Sequence, residues 1–142
     1  MDKFLRVLER VLNDLNGVNF CVLGSFNLYL QGADITPHDL DFITDDESLK
    51  KVASLYNSKI TNEFGYLETE FEIDYVGIHF VSNNNNEPFT TNDNNQVEWI
   101  NREDLNIPCR SLQSELEAYK KMTGEKYKNK VKMIEDLILK NK

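Results

Sequence analysis

Cysteine, proline, histidine and tryptophan are scarce: the 142 residues contain two, three, two and one of them. Cys21 and Cys109 stand too far apart to form a metal-ligand pattern, and two cysteines make no disulfide framework. Cys21 lies in an apolar run and reads as a small buried residue. Positive charge is also short, with 16 Lys and Arg against 24 Asp and Glu, a net charge of −8. That balance argues against extended contact with a nucleic-acid backbone, which takes clustered Lys and Arg. It leaves room for a small anionic ligand, because a metal ion and a few local cations reverse the field inside a cleft. No apolar run approaches the ~20 residues a membrane-spanning helix takes. Met1-Asp2-Lys3 leads into a charged amphipathic segment and not into a signal-peptide pattern. The expectation is a soluble, cytoplasmic protein with no membrane partner, a single domain over 1–142. Hydrophobic content of 40% and charged content of 28% suit an ordinary globular core.

Phe4, Leu5, Leu8, Val11, Leu12 and Leu15 recur at three and four residues, which predicts an amphipathic helix stopped by Gly17. Asn19 to Leu23 reads as a buried strand, and Phe26 to Leu30 as a short helix ended by Gly32. Leu40 to Thr44 is a second strand, followed by a helix capped within Thr44-Asp45-Asp46. Lys59 to Thr61 gives a short strand. Tyr66 to Ile73 alternates, with Glu68, Glu70 and Glu72 on one face and Leu67, Thr69, Phe71 and Ile73 on the other. Val76 to Val81 is a further strand, which places Asp74-Tyr75 in a hairpin turn. Residues 83–98 read as a mobile Asn-rich loop, with Trp99-Ile100 returning the chain to the body. Pro108 and Ser111 set up a helix with Leu112, Leu116, Tyr119 and Met122 inside. Gly124 breaks it, and Tyr127, Val131, Ile134, Leu137 and Ile138 mark the last helix. The pattern implies an α/β (α+β) domain: a mixed central sheet of about four to five strands, flanked by helices, with two helices at the end.

The chemistry concentrates early. Asp39 and Asp41 are two apart on a predicted strand and therefore share a face. Two like charges that close repel, so a cation is expected to compensate them. Mg²⁺ bound by two carboxylates can in turn hold a nucleoside triphosphate. Gly24-Ser25 follows a strand and opens a helix, where a backbone approaches a phosphate closely and a hydroxyl adds a donor. An EF-hand reading of Asp39 onward fails, because its sixth position is Thr44 and its twelfth is Lys50. His38 precedes the pair and reads as a loop residue or as a phosphate neighbour. His79, on the Val76–Val81 strand, is a candidate general base, with Glu70, Glu72 and Asp74 as acidic neighbours.

The runs Phe20-Cys21-Val22-Leu23-Gly24-Ser25-Phe26-Asn27-Leu28-Tyr29-Leu30-Gln31-Gly32 and Pro37-His38-Asp39-Leu40-Asp41-Phe42-Ile43-Thr44-Asp45 resemble the core of the DNA polymerase β-like nucleotidyltransferase superfamily. Ile107 to Leu112 and Glu115 to Lys121 are similar to the helix that follows the sheet in its stand-alone minimal members. The chain also resembles the N-terminal part of lincosamide and aminoglycoside nucleotidyltransferases. The resemblance implies metal (Mg²⁺) on Asp39 and Asp41, phosphates on Gly24 and Ser25, and a lysine of the C-terminal helices on the triphosphate, here assigned to Lys121. It implies an NTP, ATP above all, and an unknown hydroxyl acceptor. His79 stands where the family places a third acid, so catalysis by Asp39, Asp41 and His79 departs from the pattern. The chain is expected to lack the large acceptor-binding domain of the antibiotic-modifying proteins, which leaves the acceptor to a homodimer interface or a protein partner. Three readings follow: an Mg²⁺-dependent nucleotidyltransferase, a catalytically degenerate binding module of antitoxin-like or regulatory type, or an α/β domain with no nucleotide chemistry.

Overall fold

The computed structural model describes residues 2–82 and 96–141. The opening periodicity forms α1 (Lys3–Asp14), capped by the Asp2 side chain accepting from the Leu5 N–H. The elements that follow are β1 (Phe20–Leu23), α2 (Gly24–Leu30), β2 (Asp39–Thr44), α3 (Asp46–Tyr56), β3 (Ile60–Thr61), β4 (Glu68–Ile73) and β5 (Val76–Ser82). Then come β6 (Val97–Arg102), β7 (Leu105–Arg110), α4 (Leu112–Lys120) and α5 (Glu125–Lys140).

The seven strands make one sheet in the order β3-β4-β5-β2-β1-β7-β6, so the expected four to five strands are corrected to seven. The difference lies in the second half. Residues 97 and 98, assigned to the Asn-rich loop, belong to β6, and Gln96 is a turn residue before it; 83–95 lie outside the described residues. Pro108 does not start a helix but sits within β7, opposite Trp99. Its missing N–H is tolerated because β7 meets β1 through a single registered pair, Val22 with Cys109. Glu103 and Asp104 turn the β6–β7 hairpin with φ of 51° and 67°, as Asp74 and Tyr75 turn β4–β5 with 50° and 68°. Both are two-residue turns with left-handed residues, the geometry that matches strand twist. Only the Asp74-Tyr75 turn was legible, because its flanks alternate cleanly.

Strand alternation gives the sheet two different faces. Leu40, Phe42, Ile78, Phe80, Phe20 and Val22 point to one side and pack against Leu5, Leu8 and Val11 of α1 and Leu49 and Val52 of α3. Phe42 stacks on Phe80 at 4.6 Å and meets Phe20 edge-on at 5.5 Å. A second cluster, Leu28, Leu112, Leu116, Ile134 and Leu137, binds α4 and α5 to α2. Met122, expected on the inner face of α4, lies beyond its end and is 48% exposed. The other side of β4, β5 and β2 carries the acidic residues.

Candidate active site

Asp39 and Asp41 leave β2 on that second side, as their spacing requires. Parallel pairing sets Asp39 beside Gly77 and Asp41 beside His79. Antiparallel pairing sets Glu70 beside His79 and Glu72 beside Gly77. These residues line a cleft of about 290 Å³. Two glycines give the carboxylates room. A Cβ on Gly77 would stand 2.7 Å from Asp39 Oδ1, which no side chain permits without a shift. A Cβ on Gly24 would stand 3.2 Å from Asp41 Oδ2, and Gly24 also adopts φ +75°.

His79 is held by acids on two sides. Its Nδ1 lies 3.3 Å from Asp41 Oδ1, and its Nε2 lies 2.8 Å from Glu68 Oε1 and 3.7 Å from Glu70 Oε1. The Asp41 hydrogen bond, aided by Glu68 and opposed by burial, pushes the imidazole up to about 9. That direction favours the protonated imidazole, which donates from both nitrogens, as long as Asp41 and Glu68 keep their charge. In that form it neither ligates a metal nor removes a proton.

Asp41 also borders a second cleft, of about 300 Å³, on the other side. Its lining includes Gly24, Ser25, Arg110, Glu115, Lys126 and Lys130, with Tyr119, Met122 and Tyr127 as its apolar wall. Lys130 Nζ donates to Ser25 Oγ at 2.7 Å. Lys121 does not line this cleft; it is the exposed C-cap residue of α4. His38 is exposed and lines neither cleft. Lys126 and Lys130 are four apart on α5 and flank Tyr127, a spacing that puts both cations on one helix face. That signal was present in the sequence, within a basic run that otherwise looks solvated. Arg110 and Glu115 carried none, since their meeting depends on how β7 leads into α4.

Glu115 is 1% exposed. It accepts from the Gly24 N–H at 3.4 Å and lies 3.7 Å from Arg110 Nη1. Burial pushes its carboxyl up to about 7, opposed by Arg110, the Gly24 N–H, Asn27 and Lys130. The Arg110 carbonyl accepts from Asn27 Nδ2 and Gln31 Nε2, both at 2.8 Å, which ties α2 to β7 beneath the turn.

This mixed sheet, with an Asp-x-Asp on an inner strand beside a Gly-Ser turn, superposes on solved nucleotidyltransferases over most of its length. It is the nucleotidyltransferase fold. The chain superposes on TM1012 from Thermotoga maritima, whose name reads "putative nucleotidyltransferase", with a TM-score of 0.69, 24% identity and 84% of each chain covered. It superposes on the lincosamide antibiotic adenylyltransferase LnuA, bound to lincomycin, with a TM-score of 0.67 and 17% identity over 96% of this chain and 98% of that one. ANT(2")-Ia, in complex with adenylyl-2"-tobramycin, gives 0.66 and 9% over 97% and 94%. No family model matches the chain, and no curated protein matches it. The coverage corrects one expectation. These two nucleotidyltransferase folds align over nearly their whole length, so no large acceptor domain is missing from this chain relative to them.

Two carboxylates on one strand end fit a single Mg²⁺, which takes one or two carboxylates and fills its shell with water and phosphate oxygens. The room left by Gly24 and Gly77 is consistent with that use. Among the described residues no three His, Cys, Asp or Glu side chains converge into a ready-made metal site. No helix among them is long and apolar enough to cross a membrane.

Proposed function

We propose that the protein is a nucleotidyltransferase that moves a nucleoside monophosphate from an NTP to a hydroxyl acceptor. One observation carries this reading: Asp41 stands between a cationic cleft and an acidic one, with Ser25 and Lys130 joined on the cationic side. The triphosphate fits the cationic side, on Ser25, Lys130, Lys126 and Arg110. Lys130 takes the role expected for Lys121. The base, adenine in the preferred case, fits the apolar wall of Tyr119, Tyr127 and Met122. Asp39 and Asp41 would hold Mg²⁺, which supplies charge neutralisation at the phosphates when bound.

The acceptor enters from the acidic side. Its oxygen bonds to the α-phosphorus as the bond between the α-phosphorus and the bridging oxygen breaks, and pyrophosphate leaves. The hydroxyl proton goes to Glu70, an exposed carboxylate lining this cleft. The side chains of Asp39, Glu70 and Glu72 suit an acceptor that carries amines, such as an aminoglycoside, better than a neutral one.

The rival reading is the degenerate binding module. A histidine in the third-acid position, its imidazole pushed up by Asp41 and Glu68, favours it. Calorimetric titration of ATP, GTP, CTP and UTP with Mg²⁺ separates the two, followed by mass spectrometry of tobramycin and lincomycin incubated with the preferred NTP. Metal-dependent nucleotide binding that Asp39→Asn/Asp41→Asn abolishes, with an adenylylated product, supports the enzyme. Binding without any product supports the module, and no binding by the unaltered chain excludes the enzyme.

A further inference from the structure

The buried carboxylate of the cationic cleft has no part in the transfer just described. Glu115 lies on its floor, where the Gly24 N–H and Arg110 both face it. Those two donors are among the groups that a triphosphate would take. We propose that Glu115 is a resident anion of the phosphate site, holding Gly24 and Arg110 until nucleotide arrives and then yielding them by taking up a proton. The proposal rests on the nucleotide reading of this cleft.

The argument is one of charge. A triphosphate seated over an ionised, 1% exposed carboxylate puts like charges together with little water to screen them. With Mg²⁺ in excess the nucleotide carries no proton of its own to lose or gain near neutral pH. The carboxylate is then the group that changes. Its burial has already brought it to about 7, so protonation near neutrality takes little work. The proton comes from solvent and forms the O–H bond of the carboxyl; no other bond changes.

The surrounding groups are specified on every side. Arg110 faces Glu115 from β7, and the Gly24 N–H and Asn27 face it from α2. Lys130 acts on it from α5, and Tyr119, Cys21 and Cys109 feel its charge from α4, β1 and β7. Asp41 of β2 lines the same cleft. Two titrations compete: Lys130, whose amine burial and Lys126 hold below the ordinary lysine value, and His79, raised to about 9 beside Asp41. Both lose a proton on the alkaline side in any variant that keeps them.

The test is calorimetric titration of ATP, with excess Mg²⁺, across neutral to alkaline pH in buffers of different ionisation enthalpy. The unaltered chain is compared with Glu115→Gln. The unaltered chain is expected to take up a proton on binding, and its affinity to fall roughly tenfold per pH unit above neutrality. Glu115→Gln is expected to lose the slope near neutrality, to keep only the later His79 and Lys130 titrations, and to bind more tightly than the unaltered chain in mild alkali. Binding without proton uptake, or an unchanged slope in Glu115→Gln, overturns the proposal and leaves the nucleotide reading standing. No ATP binding by the unaltered chain overturns both. Carbon-13 NMR of the Glu115 carboxyl in the unaltered chain supplies a readout that depends on no variant. Its midpoint must rise when ATP binds, and a fixed or lowered midpoint overturns the proposal.

Discussion

Lys130 Nζ donates to Ser25 Oγ at 2.7 Å, joining the last helix to the turn after the first strand. The bond closes the cationic cleft and gives its lysine a definite position. Lys130→Ala is expected to weaken MgATP binding by about tenfold to a hundredfold, the range of a charge-assisted hydrogen bond. Lys121→Ala is expected to change it little. Calorimetry on both variants checks the assignment, and an equal loss in the two would refute it.

Gly77 lies so close to Asp39 that a methyl group there meets Oδ1 at 2.7 Å. Gly77→Ala is expected to push the Asp39 carboxylate aside and to lower Mg²⁺-dependent nucleotide binding. The fold loss should be modest, on the order of 1 kcal/mol, because the carboxylate end is free to move into the cleft. Urea denaturation and metal titration report the two effects separately.

His79 is expected to titrate near 9, raised from the ordinary 6.5 chiefly by Asp41. A group raised on folding stabilises most where both states are protonated. Its contribution is therefore complete below 6.5 and disappears as pH rises through about 9. Proton NMR of the imidazole, alongside denaturation at several pH values, checks both the midpoint and the sign. Asp41→Asn removes the first cause and should lower the midpoint by about one unit or more. A midpoint that does not move would mean that Glu68 alone holds the proton.

Phe42 is fully buried between Phe80 and Phe20 on the side of the sheet away from both clefts. Phe42→Ala is expected to destabilise the fold by about 3–5 kcal/mol. At a temperature where the variant remains folded, nucleotide affinity should be nearly unchanged, since Asp41 and Ile43 alone of its neighbours face the other side. Thermal denaturation and calorimetry together check this separation.

The parts legible in the chain are those that depend on local period. The α1 stripe from Phe4 to Leu15, the alternation through Glu68, Glu70 and Glu72, and the shared face of Asp39 and Asp41 all follow from helix or strand geometry. The Ser111 cap of α4 was legible for the same reason, because its side chain serves the N–H of Ser114 three residues on. The β6–β7 hairpin was not. Glu103 is an uncommon residue for a left-handed turn position, and Pro108 argues against a strand. Pairing with Val97 to Arg102 overrides both local preferences.

What the sequence determined by itself was the chemistry on offer: two carboxylates on one face, a Gly-Ser turn, and lysines near the end. Tertiary structure decided which of them meet. Parallel pairing of β2 with β5 brought His79 to Asp41 and raised its imidazole above the ordinary histidine value. Packing of α5 against α2 and α4 brought Lys130, and not Lys121, to Ser25, and the passage from β7 to α4 buried Glu115 beneath Gly24. Strand register and helix docking are set by contacts among residues far apart in the chain. No local period encodes them, and they settle where charges stand and how much water they keep.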